Sequence, residues 1–280
     1  MKKPQLLLIL LGLLLFSALY FFTPRFASNA GKTPTQSTEN QTVTTESILN
    51  TAKLALSENQ KIALLSIENQ LKNASNSKDS LKSFKAMSQF WADSAQKLAP
   101  YLYFTYRAAL LENSEKSLTF AAQLLVDNLL TPDAPPALQP WIAGNAKVLL
   151  EKALVINPKN DSAKINLGAC YLFGNLSDNP MQGITKIKEV VDADSTNSYG
   201  QFILALGGKK SGQYDKAIER FLTVLKIQPN HIEAMIHLAE CYELTDQKAL
   251  AIDWYTKVSN SVNIPEAKEA ISKRIQDLKK

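Results

Sequence analysis

The chain has few of the residues from which enzyme and metal sites are most often built. Its 280 residues include two cysteines and two histidines. The histidines, His231 and His237, show no metal-ligand pattern around them, and no Ser/His/Asp or Cys/His arrangement suited to nucleophilic catalysis can be assembled. We therefore predict that the chain is not an enzyme and that it binds no metal and no cofactor.

The chain also lacks a run of basic residues and has few glycines. The net charge is +5, and the lysines are interleaved with acidic residues instead of forming a basic run, so we expect no nucleic-acid partner. Only ten glycines occur. The stretch Gly207–Gly212 lacks the lysine spacing of a phosphate-binding loop and follows a predicted helix instead of a strand. With 45% hydrophobic residues, the chain can bury a continuous core along a stack of helices.

The stretch from Ser198 to His231 has the pattern of one complete helix-turn-helix unit. Its small, aromatic and helix-ending residues are Gly212, Tyr214, Ala217, Phe221 and Pro229. The glycine ends the first helix in a conformation that a side chain would oppose, and the proline stops the second helix. The alanine lets the two helices approach closely, and the phenylalanine one turn later fills the space between neighbouring units.

The same pattern recurs on both sides, and in this register the chain resembles a tetratricopeptide-repeat (TPR) protein. The next unit starts at Ile232 and supplies Leu238, Ala239, Tyr242, Ala251, Tyr255 and Val258. The preceding unit, Asp161 to Asn197, supplies Leu167, Gly168, Tyr171, Gly183 and Ile187. Before it lies another second helix with Ala146, Leu150, Ala153 and Pro158.

The resemblance predicts an all-α, helix-turn-helix (TPR) solenoid, and the N-terminal apolar run predicts one transmembrane helix before it. We divide the chain into five parts: a membrane anchor (1–25), a flexible polar linker (26–44), degenerate TPR-like helical hairpins (45–130), TPR repeats (131–260) and a C-terminal capping helix (261–280). The linker is rich in Thr, Ser, Gln and Asn and has no apolar periodicity. The helix that opens at Pro265 has the polar outer face that the end of a solenoid needs. A separate N-terminal bundle is the alternative for the degenerate hairpins.

Three local patterns predict where helices begin and end. An apolar stripe from Leu81 to Leu98 predicts one long helix that stops at Pro100. The proline-rich stretch Thr131–Pro140 predicts a stiff loop, which is either part of a binding face or a tolerated surface insertion. Asn230 followed by Glu233 predicts a capping box at the start of the next helix.

The two cysteines, Cys170 and Cys241, occupy equivalent small positions in repeats that are two units apart. Such positions should be separated by on the order of 20 Å, which is beyond the reach of a disulfide. We therefore predict that both are free, buried core residues, even in an oxidising compartment.

The N-terminal sequence predicts a membrane anchor. Lys2 and Lys3 precede the uncharged run Leu6 to Phe22, which spans roughly 25 Å as a helix, near the lower limit for crossing a bilayer. The charge bias places the N-terminus in the cytoplasm and the repeats on the periplasmic or extracytoplasmic side. The alternative is a signal peptide cleaved after Ala30, although the apolar run is longer than a usual signal core. No cysteine follows the run closely, so we expect no lipoprotein-type anchor.

The resemblance also implies a partner-binding groove on the concave side of the first helices. The matching positions are Ile165, Ala169, Leu172 and Phe173, then Tyr199, Phe202, Leu206, Lys209 and Lys210, and then Glu233, Ile236, Glu240 and Glu243. The family's Lys and Asn carboxylate clamp is missing there, so a chaperone C-terminal tail is not the expected ligand. An apolar middle with basic and acidic ends suits an amphipathic helix or an extended peptide of mixed charge. The alternative is that neighbouring helices of the chain itself cover these apolar residues.

Together these features predict a non-catalytic protein-interaction scaffold. In the favoured hypothesis, a membrane-anchored TPR protein binds a peptide or helix of a partner and helps to assemble an envelope complex. One alternative is a soluble exported TPR binding protein released by signal cleavage, which the mass of the mature N-terminus would distinguish. Another is a regulatory subunit of an enzyme, which co-purification with a catalytic subunit would support.

Overall fold

The computed structural model describes residues 43–131, 134–176 and 180–280, and within these ranges the regular structure is helical throughout. The helices are α1 (Thr45–Leu54), α2 (Glu58–Lys72), α3 (Ser77–Gln89), α4 (Leu98–Glu112), α5 (Glu115–Leu130), α6 (Gln139–Ile156), α7 (Asp161–Phe173), α8 (Met181–Ala193), α9 (Ser198–Lys210), α10 (Tyr214–Ile227), α11 (Ile232–Leu244), α12 (Lys248–Ser261) and α13 (Pro265–Leu278). A π-helical segment, Phe90–Ser94, continues α3. The all-α class predicted from the sequence is confirmed.

Helices α5 to α12 form a stack of helical hairpins, in which α5 pairs with α6, α7 with α8, α9 with α10, and α11 with α12. The first helix of each hairpin also packs on the first helix of the next hairpin. One apolar core runs without interruption from Leu102 in α4 to Val258 in α12. The described residues therefore form a helical-repeat solenoid that resembles TPR proteins, as the sequence predicts.

The residues of the repeat pattern lie where close packing requires them. Ala217 and Phe221 of α10 are fully buried, and Gly212 before α10 has a φ of +74°, which a residue with a Cβ adopts only with strain. A Cβ at Gly168 would lie 2.7 Å from the carbonyl oxygen of Gly183, so α7 and α8 approach closely only because both residues are glycines. The other pattern residues are buried or half-buried (Leu167, Tyr171, Tyr214, Ala251, Tyr255) or follow the end of a helix (Pro229).

Each of the helices α7, α9 and α11 is capped by the side chain just before it. Asn160 and Asn197 accept a hydrogen bond from the backbone N–H three residues later. His231 does the same through Nδ1, at 3.2 Å. The predicted capping box of Asn230 and Glu233 is therefore wrong, because the imidazole of His231 takes the acceptor position that asparagine holds in the two preceding repeats.

Helices α1 to α4 pack around a second apolar cluster. Helix α4 is shared between the two cores, because Phe104 and Ala108 lie in this cluster while Leu102 and Ala109 lie in the core of the solenoid. Helices α3 and α4 pair as a hairpin, and α4 packs on α5. The N-terminal helices thus continue the stack and have an apolar core of their own.

Two predicted boundaries are displaced. The long helix predicted to stop at Pro100 ends at Ser94 in the π-helical segment, and Pro100 lies in the first turn of α4. A proline is tolerated there because its missing N–H would have no partner within the helix. The division placed between residues 130 and 131 falls between α5 and α6, which pair as a hairpin.

Within the described ranges, no helix is both long enough and apolar enough to cross a membrane. The predicted anchor Leu6 to Phe22 lies outside the described residues, as does the linker up to residue 42. The membrane anchor therefore stays a prediction.

Candidate partner-binding site

The predicted concave groove is closed in part. Ile165, Ala169 and Phe202 are buried in the core because each first helix packs directly on the next, as the alternative interpretation predicts. The other groove residues are half-buried (Leu172, Phe173, Tyr199, Leu206, Lys209, Ile236, Glu240, Glu243) or exposed (Lys210, Glu233). We call five of these accessible residues, Leu172, Phe173, Leu206, Lys210 and Glu240, the concave strip.

A chain of polar side chains joins the three helices α5, α7 and α9. The Nδ2 of Asn166, which is fully buried, donates to Gln123 Oε1 at 2.6 Å, and Tyr199 Oη donates to Asn166 Oδ1 at 2.6 Å. Gln123 Nε2 in turn donates to Asp127 Oδ1 at 2.7 Å. Burial raises the pKa of Tyr199 to about 12, so its hydroxyl remains a donor at neutral pH. These groups satisfy one another and fix the relative positions of three helices.

A charged cluster joins α9 to α11. Lys209 Nζ donates to the Glu240 carboxylate, and His237 Nδ1 lies 2.8 Å from Glu240 Oε2. Burial by itself would raise the pKa of Glu240, but the hydrogen bonds from His237 and Lys209 outweigh it and lower this pKa to about 2. The predicted basic and acidic ends of the groove are therefore not two separate ends, because Lys209 and Glu240 pair with each other.

This cluster predicts a pH-dependent stability. The pKa of Glu240 in the folded state lies below its ordinary value of 4.5, so the stability that the carboxylate contributes is complete above that pH and is lost as the pH falls toward 2. We expect the difference in urea midpoint between the native chain and Glu240→Gln to shrink as the pH is lowered from about 6 to about 3. Glu233→Gln, which changes an exposed carboxylate on the same helix, sets the background. A difference that stays constant over this range would contradict the assignment.

Other charged residues near the concave strip are also paired within the chain. Lys210 Nζ donates to the Leu172 carbonyl oxygen at 3.0 Å and lies 5.3 Å from the centroid of the Phe173 ring. Glu243 accepts a hydrogen bond from Arg274 Nε at 3.0 Å. A partner that bound its charges here would have to displace these internal contacts.

A more open surface lies further toward the N-terminus. Helix α5 packs on α7, α7 packs on α9, and α9 packs on α11. In contrast, α3 and α5 are separated by a groove of about 440 Å³. Helix α4 forms its floor with Tyr101, Thr105, Ala108, Ala109 and Glu112, and α3 with its π-helical continuation and α5 form the walls with Lys85, Ser88, Gln89, Ala92, Asp93, Ser117, Phe120 and Ala121. We call this surface the α3–α5 groove.

The α3–α5 groove combines an apolar anchor with a polar rim. The Phe120 side chain is 65% exposed at its wall, although an aromatic side chain of this size is usually buried. Lys85 Nζ and Glu112 Oε2 form an exposed ion pair of 2.8 Å at the rim, and the Ser88 and Thr105 hydroxyls are 2.7 Å apart. An apolar centre with a polar rim is the usual anatomy of a surface that binds another protein. None of these residues could be recognised as part of a site from the sequence alone.

The two cysteines and the two histidines have structural roles. Cys170 and Cys241 are free and buried, as predicted, and burial raises their pKa to about 12 and about 11, which disfavours the reactive thiolate. His231 caps a helix, and His237 bonds to Glu240. Among the described residues, no group of three or more His, Cys, Asp or Glu is placed to hold a metal ion.

Comparisons with known proteins match parts of this architecture. A family model described as regulator of microtubule dynamics protein 1-3 matches residues 201–280, and no curated protein matches the chain. Among solved structures, MamA (41-end) from Desulfovibrio magneticus RS-1 is 20% identical over 65% of this chain and 95% of its own, with a TM-score of 0.44. YrrB, described as a TPR protein with an unusual peptide-binding site, is 16% identical over 75% of this chain and 100% of its own, with a TM-score of 0.42. At these identities and TM-scores the likeness carries no ligand and no role over to this chain.

Proposed function

We propose that the chain is a non-catalytic protein-interaction scaffold that binds an amphipathic helix of a partner protein in the α3–α5 groove. The observation that carries this proposal is the break in the series of first helices. From α5 onward each first helix packs on the next, but between α3 and α5 the corresponding space is an open groove. A partner helix that entered the groove would supply the helix–helix contact that the other repeats make within the chain.

The lining of the groove determines what kind of helix would fit. Ala108 and Ala109 on the floor are small, so the backbone of a bound helix could approach α4 closely. Phe120 offers a large apolar surface for the partner's apolar stripe. Lys85 of α3 and Asp93 of its π-helical continuation place opposite charges along one wall. This wall suits a partner of mixed charge. The apolar contact is expected to supply affinity, and the rim charges to supply specificity.

The position of the scaffold in the cell is part of the same proposal. We propose that Leu6 to Phe22 stays in the chain as a transmembrane anchor, with the N-terminus in the cytoplasm and the repeats on the periplasmic or extracytoplasmic side. The apolar run and the preceding lysines support this orientation. The mass of the mature protein tests it, because cleavage after Ala30 would remove the run and leave a soluble binding protein.

The binding site is tested by crosslinking and mass spectrometry of the tagged full-length protein in its native membrane. We expect a partner captured by the native chain to be lost, by about tenfold or more, with Phe120→Glu, since an apolar anchor at the centre of an interface contributes about 2 kcal/mol or more. Val155→Glu is the matched control, because Val155 is also highly exposed but does not line the groove.

A third variant separates the two candidate surfaces. Lys210→Glu changes the exposed charge of the concave strip and leaves the α3–α5 groove intact. Loss of the partner with Lys210→Glu and its retention with Phe120→Glu would contradict the groove assignment and move the site to the concave strip. Each variant is compared by circular dichroism and thermal unfolding, so that a binding loss is scored only for a folded chain.

A further inference from the structure

The two ends of the described stack differ in character. At the C-terminal end, the outer face of α13 is polar and exposed, with Glu266, Lys268, Glu269 and Lys273, whereas Arg274 points back to Glu243 of α11. At the N-terminal end, α2 exposes Ile62 and Leu65, which are 66% and 56% accessible. A solenoid needs a polar face at each end to remain soluble. Among the described residues nothing covers the outer face of α2, which therefore has the character of an interaction surface.

Helix α2 carries two faces, and among the described residues only one of them packs against other helices. Leu64, Ile67 and Leu71 belong to the N-terminal apolar cluster. On the opposite side, a stripe of exposed residues follows steps of four and three: Glu58, Ile62, Leu65, Asn69 and Lys72. This alternation is the spacing of a coiled-coil seam, in which two helices pack along their lengths. The outer stripe is therefore suited to one partner helix that lies alongside α2.

The charges of the stripe indicate which helix could lie alongside α2 as its partner. Glu58 and Lys72 lie at its two ends, each two helical turns from the central Leu65. The Glu58 carboxylate also pairs with Lys61 Nζ at 2.7 Å within the helix, but its side chain is exposed and can accept a second cation. If a second copy of α2 packs in the antiparallel direction around a two-fold axis at Leu65, Glu58 of each copy lies opposite Lys72 of the other. A parallel arrangement would instead place like charges side by side. The stripe is thus complementary to itself in the antiparallel arrangement.

We propose that the chain forms a two-fold symmetric homodimer through the outer stripe of α2, with Leu65 at the axis and Glu58–Lys72 ion pairs at both ends. Each copy contributes only two central apolar side chains, Ile62 and Leu65, so the dimer is reversible and depends on concentration. The stripe lies on α2 and shares no residue with the α3–α5 groove, so the dimer does not depend on the proposed partner site. A dimer would present two such grooves to its partners.

Charge reversal tests the ion pairs. Sedimentation of the full-length chain in detergent should show a dimer at about 100 µM. Glu58→Lys alone and Lys72→Glu alone should each weaken the dimer by about tenfold, because each places like charges opposite each other at both ends. A mixture of the two single variants should form the mixed dimer, in which one end has the native ion pair between residues 58 and 72 and the other end has the same pair with its charges reversed. Failure of the mixture to dimerise better than either variant alone would overturn the proposed arrangement.

A cysteine placed at the axis gives an independent measurement. Leu65→Cys should form an intermolecular disulfide under mild oxidation, because the two copies of this position meet at the two-fold axis. The native cysteines do not interfere, since Cys170 and Cys241 are buried. Ala63→Cys is the control, because it is exposed on the same helix but points away from the stripe. A native chain that stays monomeric at about 100 µM, or equal crosslinking of the two variants, would contradict the dimer and leave a lipid surface or another protein as the molecule that covers α2.

Discussion

We expect Phe221→Ala to lower the free energy of unfolding by about 3–5 kcal/mol. Phe221 is one of the largest fully buried side chains among the described residues. Its ring centroid lies 6.0 Å from that of Phe202 in α9 and 5.8 Å from that of His237 in α11. Truncation to alanine removes the contact of α10 with both neighbouring first helices and leaves a cavity that the surrounding helices can close only in part.

The adjacent residue provides the control for this measurement. Leu222 follows Phe221 in the same helix but is partly exposed, so Leu222→Ala should cost only about 1 kcal/mol or less. Urea denaturation of the full-length chain, followed by circular dichroism, gives both values. Similar losses for the two variants would mean that α10 does not present Phe221 to the interior, and the repeat register would then be wrong.

We expect Ala217→Trp to destabilise the stack by about 1–3 kcal/mol or more, through overpacking. Ala217 is fully buried, and its Cβ lies 3.5 Å from the place where a Cβ at Gly208 would stand. Helices α9 and α10 therefore meet at two of the smallest residues. An indole ring has no space there unless the two helices separate, and separation would weaken contacts along the whole hairpin.

Glu219→Trp is the matched control, because it adds the same ring two residues away at an exposed position. It should change the urea midpoint little, since surface substitutions away from special features usually have small effects. If Ala217→Trp left the thermal and urea midpoints unchanged, the close approach of α9 and α10 at Ala217 would be contradicted.

The repeat architecture could be predicted because the residues that define it are close together in sequence. Gly212, Ala217 and Phe221 lie within one hairpin, and each is needed for a local steric reason that applies in every unit. The longer preceding unit follows the same steric rule, because Gly168 and Gly183 allow α7 and α8 to cross closely. Local patterns were less reliable where two residues could play the same role, as at the start of α11, which His231 caps in place of Asn230.

The accessible surface could not be predicted in this way. How far the concave side opens depends on the small rotation between successive repeats, which accumulates over many contacts and leaves no local pattern. The sequence therefore placed Ile165, Ala169 and Phe202 in a groove, although close packing of the first helices buries them. For the chain of polar side chains that joins α5, α7 and α9, the only sequence signal was Asn166, a polar residue between two apolar ones in α7. Its partners, Gln123 and Tyr199, lie in other helices.

The α3–α5 groove could not be predicted from the sequence for a related reason. The sequence showed an apolar stripe from Leu81 to Leu98 and a proline, and these do not reveal the π-helical segment that ends α3 or the separation of α3 from α5. Phe120 belongs to a helix whose other apolar residues are mostly buried, such as Leu118 and Leu125. Only the helix packing shows that Phe120 is left exposed.

Hydrogen exchange of the full-length chain, measured by mass spectrometry with and without its captured partner, tests the proposed binding site most directly. If the α3–α5 groove holds the partner, the amide groups of α3, α4 and the first half of α5 should exchange more slowly in the complex, and those of α12 should be unaffected. Protection confined to α7, α9 and α11 would place the partner on the concave strip and contradict the assignment of the α3–α5 groove as the binding site.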